Sequence, residues 1–271
     1  SLALISDAGH MLTDAAAIGL ALVSMRLAER PPKGGLTFGL KRAEILSAQA
    51  NGLTLLLLAL WFVYEAIKRL IAPPTVEAPL MLYTALTGIV VNLLATWSLS
   101  RANRQSLNIE GSFQHIVTDL YAFIATAAAA GIIWLTGFNR ADALAALVVA
   151  GLMFKAGFGL VKQSGRIFLE AAPTHLDPEK IGRALAADPA VAAVHDLHVW
   201  EITSGFPSLS AHVLLRGGCD GHCHQKRIEL ERLIEERFGI HHVTLQVEHF
   251  RPEASVPVKA VGAASSPATS R

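Results

Sequence analysis

Apolar residues run in long blocks through residues 1–165, then give way to short alternating stretches over 173–250. A block of roughly twenty apolar residues can cross a bilayer as a helix. Five such spans are predicted: 2–27, 40–71, 79–99, 112–136 and 141–161. The second contains the run Leu53–Val63, and the third is clean apart from Asn92. Beyond residue 173 the period changes. Asp177-Pro-Glu predicts an N-cap and a first-turn proline, opening a helix to about Ala187. Ala193–Thr203 and Ser208–Leu215 alternate as strands around a turn at Ser204-Gly-Phe-Pro207. His222–Phe238 predicts a helix, with Ile228, Leu230, Leu233 and Ile234 apolar, and His242–Phe250 a third strand. The fold class is an α-helical polytopic membrane domain over 1–170 plus a small α+β domain over 173–250, in the order α-β-β-α-β. Residues 251–271, rich in Ala, Ser, Pro and Val, read as a disordered tail.

Composition agrees with a membrane chain. Of 271 residues, 52% are hydrophobic and 17% charged, which is too apolar for an ordinary soluble protein. The formal net charge of +1 argues against a nucleic-acid partner. Basic residues set the orientation. Arg26, Arg30, Lys33, Lys41 and Arg42 lie between the first two spans, Arg101 and Arg104 between the third and fourth, and Lys162 and Arg166 after the fifth. Only Lys68, Arg69 and Arg140 lie on the other side. The positive-inside rule places the first group, and the α+β domain, in the cytoplasm. Five spans ending inside require an outer start, so a further span is expected before Ser1. Cys219 and Cys223 fall in the cytoplasmic part, where a disulfide across so short a spacing is not expected.

The candidate chemistry is a repeated word. His10-Met-Leu-Thr-Asp14 and His115-Ile-Val-Thr-Asp119 both read His-x-x-x-Asp, each inside an apolar span. Residues four apart share a helix face. Each pair therefore offers one imidazole and one carboxylate in one direction, and two facing pairs make a tetrahedral set suited to zinc. Ionisable groups inside a membrane helix are costly and mark ion paths. Zinc needs neutral imidazole and ionised carboxylate. An ordinary imidazole titrates at about pH 6.5, so an arriving proton can help expel the metal. Asp7 lies nearly on the face of His10, either lining a vestibule or sitting at the helix start. Gln49, Asn51 and Asn92 read as helix–helix hydrogen-bonding residues.

Ser1-Leu-Ala-Leu-Ile-Ser-Asp-Ala-Gly-His-Met-Leu-Thr-Asp14 closely resembles a helix signature of the cation diffusion facilitator family, proton-coupled exporters of zinc and related divalent metals. Phe38-Gly-Leu-Lys-Arg-Ala-Glu-Ile-Leu46 is similar to the start of the family's next span. Val194-His-Asp-Leu-His-Val-Trp200 and Phe238–Glu248 resemble its cytoplasmic domain. The resemblance implies a zinc transport site at His10, Asp14, His115 and Asp119. It also implies a ferredoxin-like cytoplasmic module that dimerises, with a second metal site drawn from His195, His212, His224, His241 and Glu248. Family members usually have six spans, so the expected missing span would be the first. Zn2+ is then both cargo and regulator, with Cd2+ or Co2+ as alternatives. Protons are the counter-substrate, the lipid bilayer the medium and a homodimer the assembly, in a bacterial inner membrane.

Cys219, His222 and Cys223 are further candidate ligands, in a metal-compatible run that lacks paired zinc-finger knuckles. The alternative is a solvated loop. For His198, between apolar neighbours in a strand, a hydrogen-bonded structural role is an equal reading. Arg42 and Glu170 resemble a family charge interlock, or are interfacial residues that snorkel. Residues 25–42 hold no His, Cys or Asp, so no metal site is expected there. Two rival functions remain at this stage. One is a membrane metal sensor without transport. The other is an intramembrane metalloenzyme, which needs an open coordination position that four protein ligands would close.

Overall fold

The computed structural model describes residues 19–74, 77–100, 107–216 and 223–249. The chain divides into two compact units, Ser1–Gly165 and Arg166–Arg271. The described part of the first predicted span is helix α1, Gly19–Ala28. Four longer helices follow: α2 (Ala43–Ile71), α3 (Ala78–Leu99), α4 (Leu107–Thr136) and α5 (Arg140–Phe168). Among the described residues these four are long and apolar enough to cross a membrane. Their outward side chains are those a bilayer would cover: Leu57, Trp61, Leu94 and Trp97 are all exposed.

Two helices run further than their apolar blocks. Helix α4 starts at Leu107 rather than at residue 112, and α5 continues to Phe168 rather than 161. Charge does not end a helix; backbone capping does. Helix α5 passes Lys162 and Arg166 and stops where Glu170 turns left-handed at φ 55°. There Glu170 N–H donates to Ile167 O and Ala171 N–H to Arg166 O, the two bonds of a Schellman motif. Glu170 occupies a position usually given to glycine.

Glycines bring α2 and α5 together. A Cβ on Gly157 would stand 2.8 Å from the carbonyl oxygen of Gly52, and one on Gly52 would stand 3.0 Å from the Cβ of Leu160. Leu55, Ala59, Val149, Met153 and Leu160 fill the space around this crossing. Ser164, fully buried on α5, donates to Gln49 Oε1 on α2, so Gln49 does serve helix pairing. Near the far ends of the same helices, Arg69 bonds Asp142 at 2.9 Å. In the segment before α2, Gly39 has φ 67°, and a Cβ there would lie 2.8 Å from Arg30 O. This is why the Phe38-Gly39 signature needs glycine.

The second unit follows the predicted order: α6 (Pro178–Ala186), β1 (Val191–Glu201), β2 (Pro207–Leu215), α7 (Cys223–Phe238) and β3 (His242–His249). Asp177 caps α6 by accepting from Glu179 N–H at 3.0 Å, with Pro178 in the first turn. The sheet order is β1-β2-β3. Strands β1 and β2 are antiparallel, whereas β2 and β3 are parallel and joined through α7. A split βαβ arrangement would insert a strand between such a pair; here β2 and β3 bond directly. Ile181, Leu185, Leu230 and Ile234 of the helices pack on Val191, Val199, Leu209, Val213 and Leu245 of the sheet. The helices thus cover one sheet face. The other carries the histidines.

Candidate metal sites

Helix α4 presents His115 and Asp119 as one pair. His115 Nε2 lies 3.6 Å from Asp119 Oδ2, with the histidine side chain 6% exposed and the carboxylate 27%. The spacing of four residues accounts for the shared face. The neighbouring turns are polar on the same side: Gln114 donates to Glu110 at 2.9 Å, and Thr118, also buried, donates its hydroxyl back to Gln114 O. Returning the threonine hydroxyl to the backbone satisfies it without calling on a partner helix. The first copy of the word, His10 and Asp14, lies outside the described residues, as does Asp7.

The second cluster stands on the open face of the sheet and depends on a β-bulge. Between His195↔His212 and His198↔Ser210, three residue steps of β1 oppose two of β2. Side chains alternate along a strand, so an odd separation would put His195 and His198 on opposite faces. The extra residue corrects the phase and brings both to the histidine face. Asp196 sits in the bulge with φ 52°, a conformation that Asp tolerates better than most residues. The His195 and His212 rings are 5.0 Å apart between centroids. His212 Nδ1 lies 3.3 Å from Glu248 Oε1, and Gln246 donates to that same carboxylate at 2.6 Å. Asp196 lies 3.0 Å from His198 Nε2 and 3.9 Å from His212 Nε2. His198 is thus hydrogen-bonded, but as an exposed member of the cluster. Asp196 is the residue that sequence reasoning missed. The odd His195-x-x-His198 spacing inside a strand was its available signal.

The structure does not gather all five expected cytoplasmic ligands. His195, His212 and Glu248 come together. His224 is exposed in the first turn of α7. His241 stands apart. It precedes His242, which pairs with Ser208, four positions along β2 from His212; at ~3.3 Å per residue this is over ~13 Å. His241 Nδ1 instead meets Glu235 Oε1 at 2.8 Å. The extended rise of β3 itself carries His241 away from Glu248, and the register with β2 carries it away from His212. Among the described residues, no group of three or more His, Cys, Asp or Glu is closed into metal-holding geometry. The donors on the open face are nonetheless of the imidazole and carboxylate types that zinc takes.

A second correction concerns Cys223. It is disulfide-bonded, against the expectation drawn from the short cysteine spacing. Cys219 and His222 lie outside the described residues. Of the two interlock candidates, Arg42 occupies the N-cap of α2, and Glu170 forms the left-handed end of α5 described above.

Charge pairing holds the base of α7. Lys226 bonds Glu229 at 2.7 Å and Asp188 at 3.2 Å. These hydrogen bonds, that to Glu229 first, raise the lysine above its ordinary range. The hydrogen bond from Lys226 also lowers the Glu229 carboxyl.

Comparison with known proteins extends over nearly the whole chain. Residues 1–169 match the cation efflux transmembrane domain, and residues 173–250 the cytoplasmic domain of cation efflux proteins. A cadmium, cobalt and zinc/H(+)-K(+) antiporter of Bacillus subtilis is 39% identical over 253 residues, covering 92% of this chain and 80% of the relative. The metal cation efflux system protein CzcD of Cupriavidus metallidurans is 37% identical, covering 92% and 78%. The zinc transporter ZitB of Escherichia coli is 33% identical, covering 92% and 79%. Among solved structures, the metal-bound C-terminal domain of the CzcD transporter is 34% identical over 27% of this chain and 99% of that domain, with a TM-score of 0.25. Membrane-crossing helices, an α-β-β-α-β domain and these matches across both units together make the chain a member of the cation efflux, or cation diffusion facilitator, family.

Proposed function

We propose that this protein exports divalent metal, zinc foremost, from the cytoplasm in exchange for protons, as a homodimer in a bacterial inner membrane. The observation that carries the reading is the His115–Asp119 pair on one face of a helix long and apolar enough to cross a membrane, with His115 buried and Asp119 half-buried. The same word at His10 and Asp14 supplies the other two ligands of a four-coordinate site. The ion held there is cargo. Two carboxylates and two imidazoles neutralise it and complete its shell. Protonating an imidazole withdraws its lone pair, and protonating a carboxylate withdraws its charge. Inward proton movement would thereby drive metal outward once the helices rock between two openings. The B. subtilis relative's description as an antiporter supports exchange, and the ZitB relatives' description supports zinc. The same antiporter's description includes cadmium and cobalt, which imidazole and carboxylate also accept.

The second part of the reading is regulation by cytosolic metal. His195, His212 and Glu248 would hold a regulatory zinc on the open sheet face, with Asp196 as a further oxygen ligand. Metal there would tighten the dimer and bias transport. His224, in the first turn of α7, is a further candidate ligand, and His241 meets Glu235 instead.

The test is zinc uptake into vesicles carrying the full chain, read by a trapped dye under an imposed pH gradient. Uptake that scales with the gradient and disappears in His115→Ala is the expected result. Zinc binding without gradient-driven uptake would instead favour a non-transporting sensor.

A further inference from the structure

Helix α2 carries a polar stripe that the four-ligand site does not use. Glu44, Ser47 and Asn51 stand at intervals of three and four residues, hence on one helix face. That face points into the membrane unit rather than toward lipid, since Glu44 and Ser47 are 8% and 5% exposed. The stripe starts at the basic end of the helix and leads inward. Asn51 ends it. Its Oδ1 is buried and, among the described residues, has no hydrogen-bond partner. A buried amide oxygen left without a partner carries its full desolvation cost. Helix pairing alone does not explain keeping one.

Its position suggests the reason. Asn51 Nδ2 lies 3.5 Å from where a Cβ on Gly111 would stand, so the carboxamide rests against the bare backbone of α4. Gly111 is four residues before His115, which is four before Asp119. All three share a face, and the amide lies one turn, ~6 Å of rise, from the imidazole. Helices α2 and α4 both begin next to the basic segments, so this turn is on the cytoplasmic side of the pair.

We propose that Asn51 is a further residue of the metal path: its amide oxygen takes the entering divalent cation one turn before His115 and Asp119, at the end of an entry lined by Glu44 and Ser47. Amide oxygens are established ligands for partly hydrated cations. A neutral oxygen suits a transfer point because it replaces a water of the shell without trapping the ion. This inference rests on the transport reading above.

The experiment compares Asn51→Leu, Asn51→Asp and His115→Ala in the full chain. Zinc flux into vesicles is measured against zinc concentration, and zinc binding to the detergent-solubilised protein is measured in parallel. Asn51→Leu should raise the zinc concentration for half-maximal flux roughly tenfold, the scale of losing an outer partner of a metal site. Maximal flux should change much less. Asn51→Asp keeps the oxygen and adds charge, so half-saturation should be restored or tightened while maximal flux falls. If Asn51→Leu leaves half-saturation where it was and changes only thermal stability, Asn51 is a packing residue and the proposal fails. If the unmutated protein binds zinc without flux, the transport reading fails on its own. The binding isotherm then decides Asn51: a roughly tenfold weakening supports it, and an unchanged isotherm overturns it.

Discussion

The membrane unit and the cytoplasmic domain carry the same donor types, imidazole and carboxylate, in different surroundings. On α4, His115 is 6% exposed and Asp119 27%. On the open sheet face, His212 is 32% exposed and Glu248 39%. Burial changes what metal loss costs. A carboxylate beside a buried imidazole that loses its cation is best compensated by another positive charge, and a proton is the smallest available. An exposed cluster can let water take the place of its ion. The first environment suits obligatory exchange of metal for protons; the second suits an equilibrium that follows cytosolic metal. The backbone differs in the same sense. A regular helix fixes His115 and Asp119 four residues apart, whereas a bulge with Asp196 at φ 52° gathers the cytoplasmic donors.

The comparison breaks most directly at His115. Replacing it with alanine removes one of four proposed ligands, and gradient-driven zinc flux should fall by on the order of 100-fold or more, beyond the usual cost of an outer-shell loss. Dimer formation by the cytoplasmic domain should be retained. Flux within a few fold of the unmutated protein would mean that burial on α4 serves packing rather than transport.

Next in size is the α2–α5 crossing, which tests the rigidity of the frame rather than the ligands. A methyl group on Gly157 would press on Gly52 O at 2.8 Å and on Leu55 and Leu56 at 3.1 Å. One of these contacts is backbone and cannot rotate away. Gly157→Ala should destabilise the membrane unit by about 1–3 kcal/mol, as overpacking does. Thermal unfolding in detergent, followed by tryptophan fluorescence, would show it. An unchanged midpoint would mean that the two helices have room to separate.

Much of this comparison was legible from residue order, and the remainder was not for identifiable reasons. Apolar length located α2 to α5, because the bilayer requires it. Alternation and the Asp177-Pro178 start located the α-β-β-α-β order. The His-x-x-x-Asp word needed only helical geometry. What stayed hidden depends on register or on contact between distant segments. The bulge at Asp196 shifts the phase of β1 and brings His198 round beside His195. The parallel β2–β3 register sets His242 opposite Ser208, so His241 lies on the far side of Ser208 from His212. Asn51 reads as a helix-pairing residue until Gly111 is found beside it. The last turns of α5 lie beyond its apolar block, and the helix ends at the backbone turn of Glu170.

A smaller effect should separate the cytoplasmic cluster from the transport site. His212→Gln keeps a polar side chain but removes the imidazole between Asp196 and Glu248. Zinc affinity of the cytoplasmic domain should fall roughly tenfold, and metal-induced tightening of the dimer should weaken with it. Flux at saturating zinc should change far less than in His115→Ala. Equal losses in the two variants would mean that the clusters act as one site, and the contrast between exchange and sensing would have to go.

The smallest expected effect concerns Lys226, whose contacts to Glu229 and Asp188 steady the base of α7. The hydrogen bonds to Glu229 and Asp188 raise the lysine, so its contribution is full below the ordinary lysine value of about 10.4 and fades as pH rises through the folded-state value above it. Glu229 is lowered by the same hydrogen bond, so its contribution is full above the ordinary glutamate value of about 4.3 and fades as pH falls through the lower folded-state value. Between those limits the pairing is insensitive to pH. Lys226→Met should therefore lower the unfolding midpoint of the cytoplasmic domain by a few degrees at most at pH 7, given how exposed Glu229 is. The deficit relative to the unmutated chain should shrink only toward the alkaline and acid extremes. Hydrogen exchange of the α7 amides in the full chain can resolve so local a change. A deficit that instead varied across the neutral range would mean that the Lys226 pairing does not carry it, and the base of α7 would have to be held by other contacts.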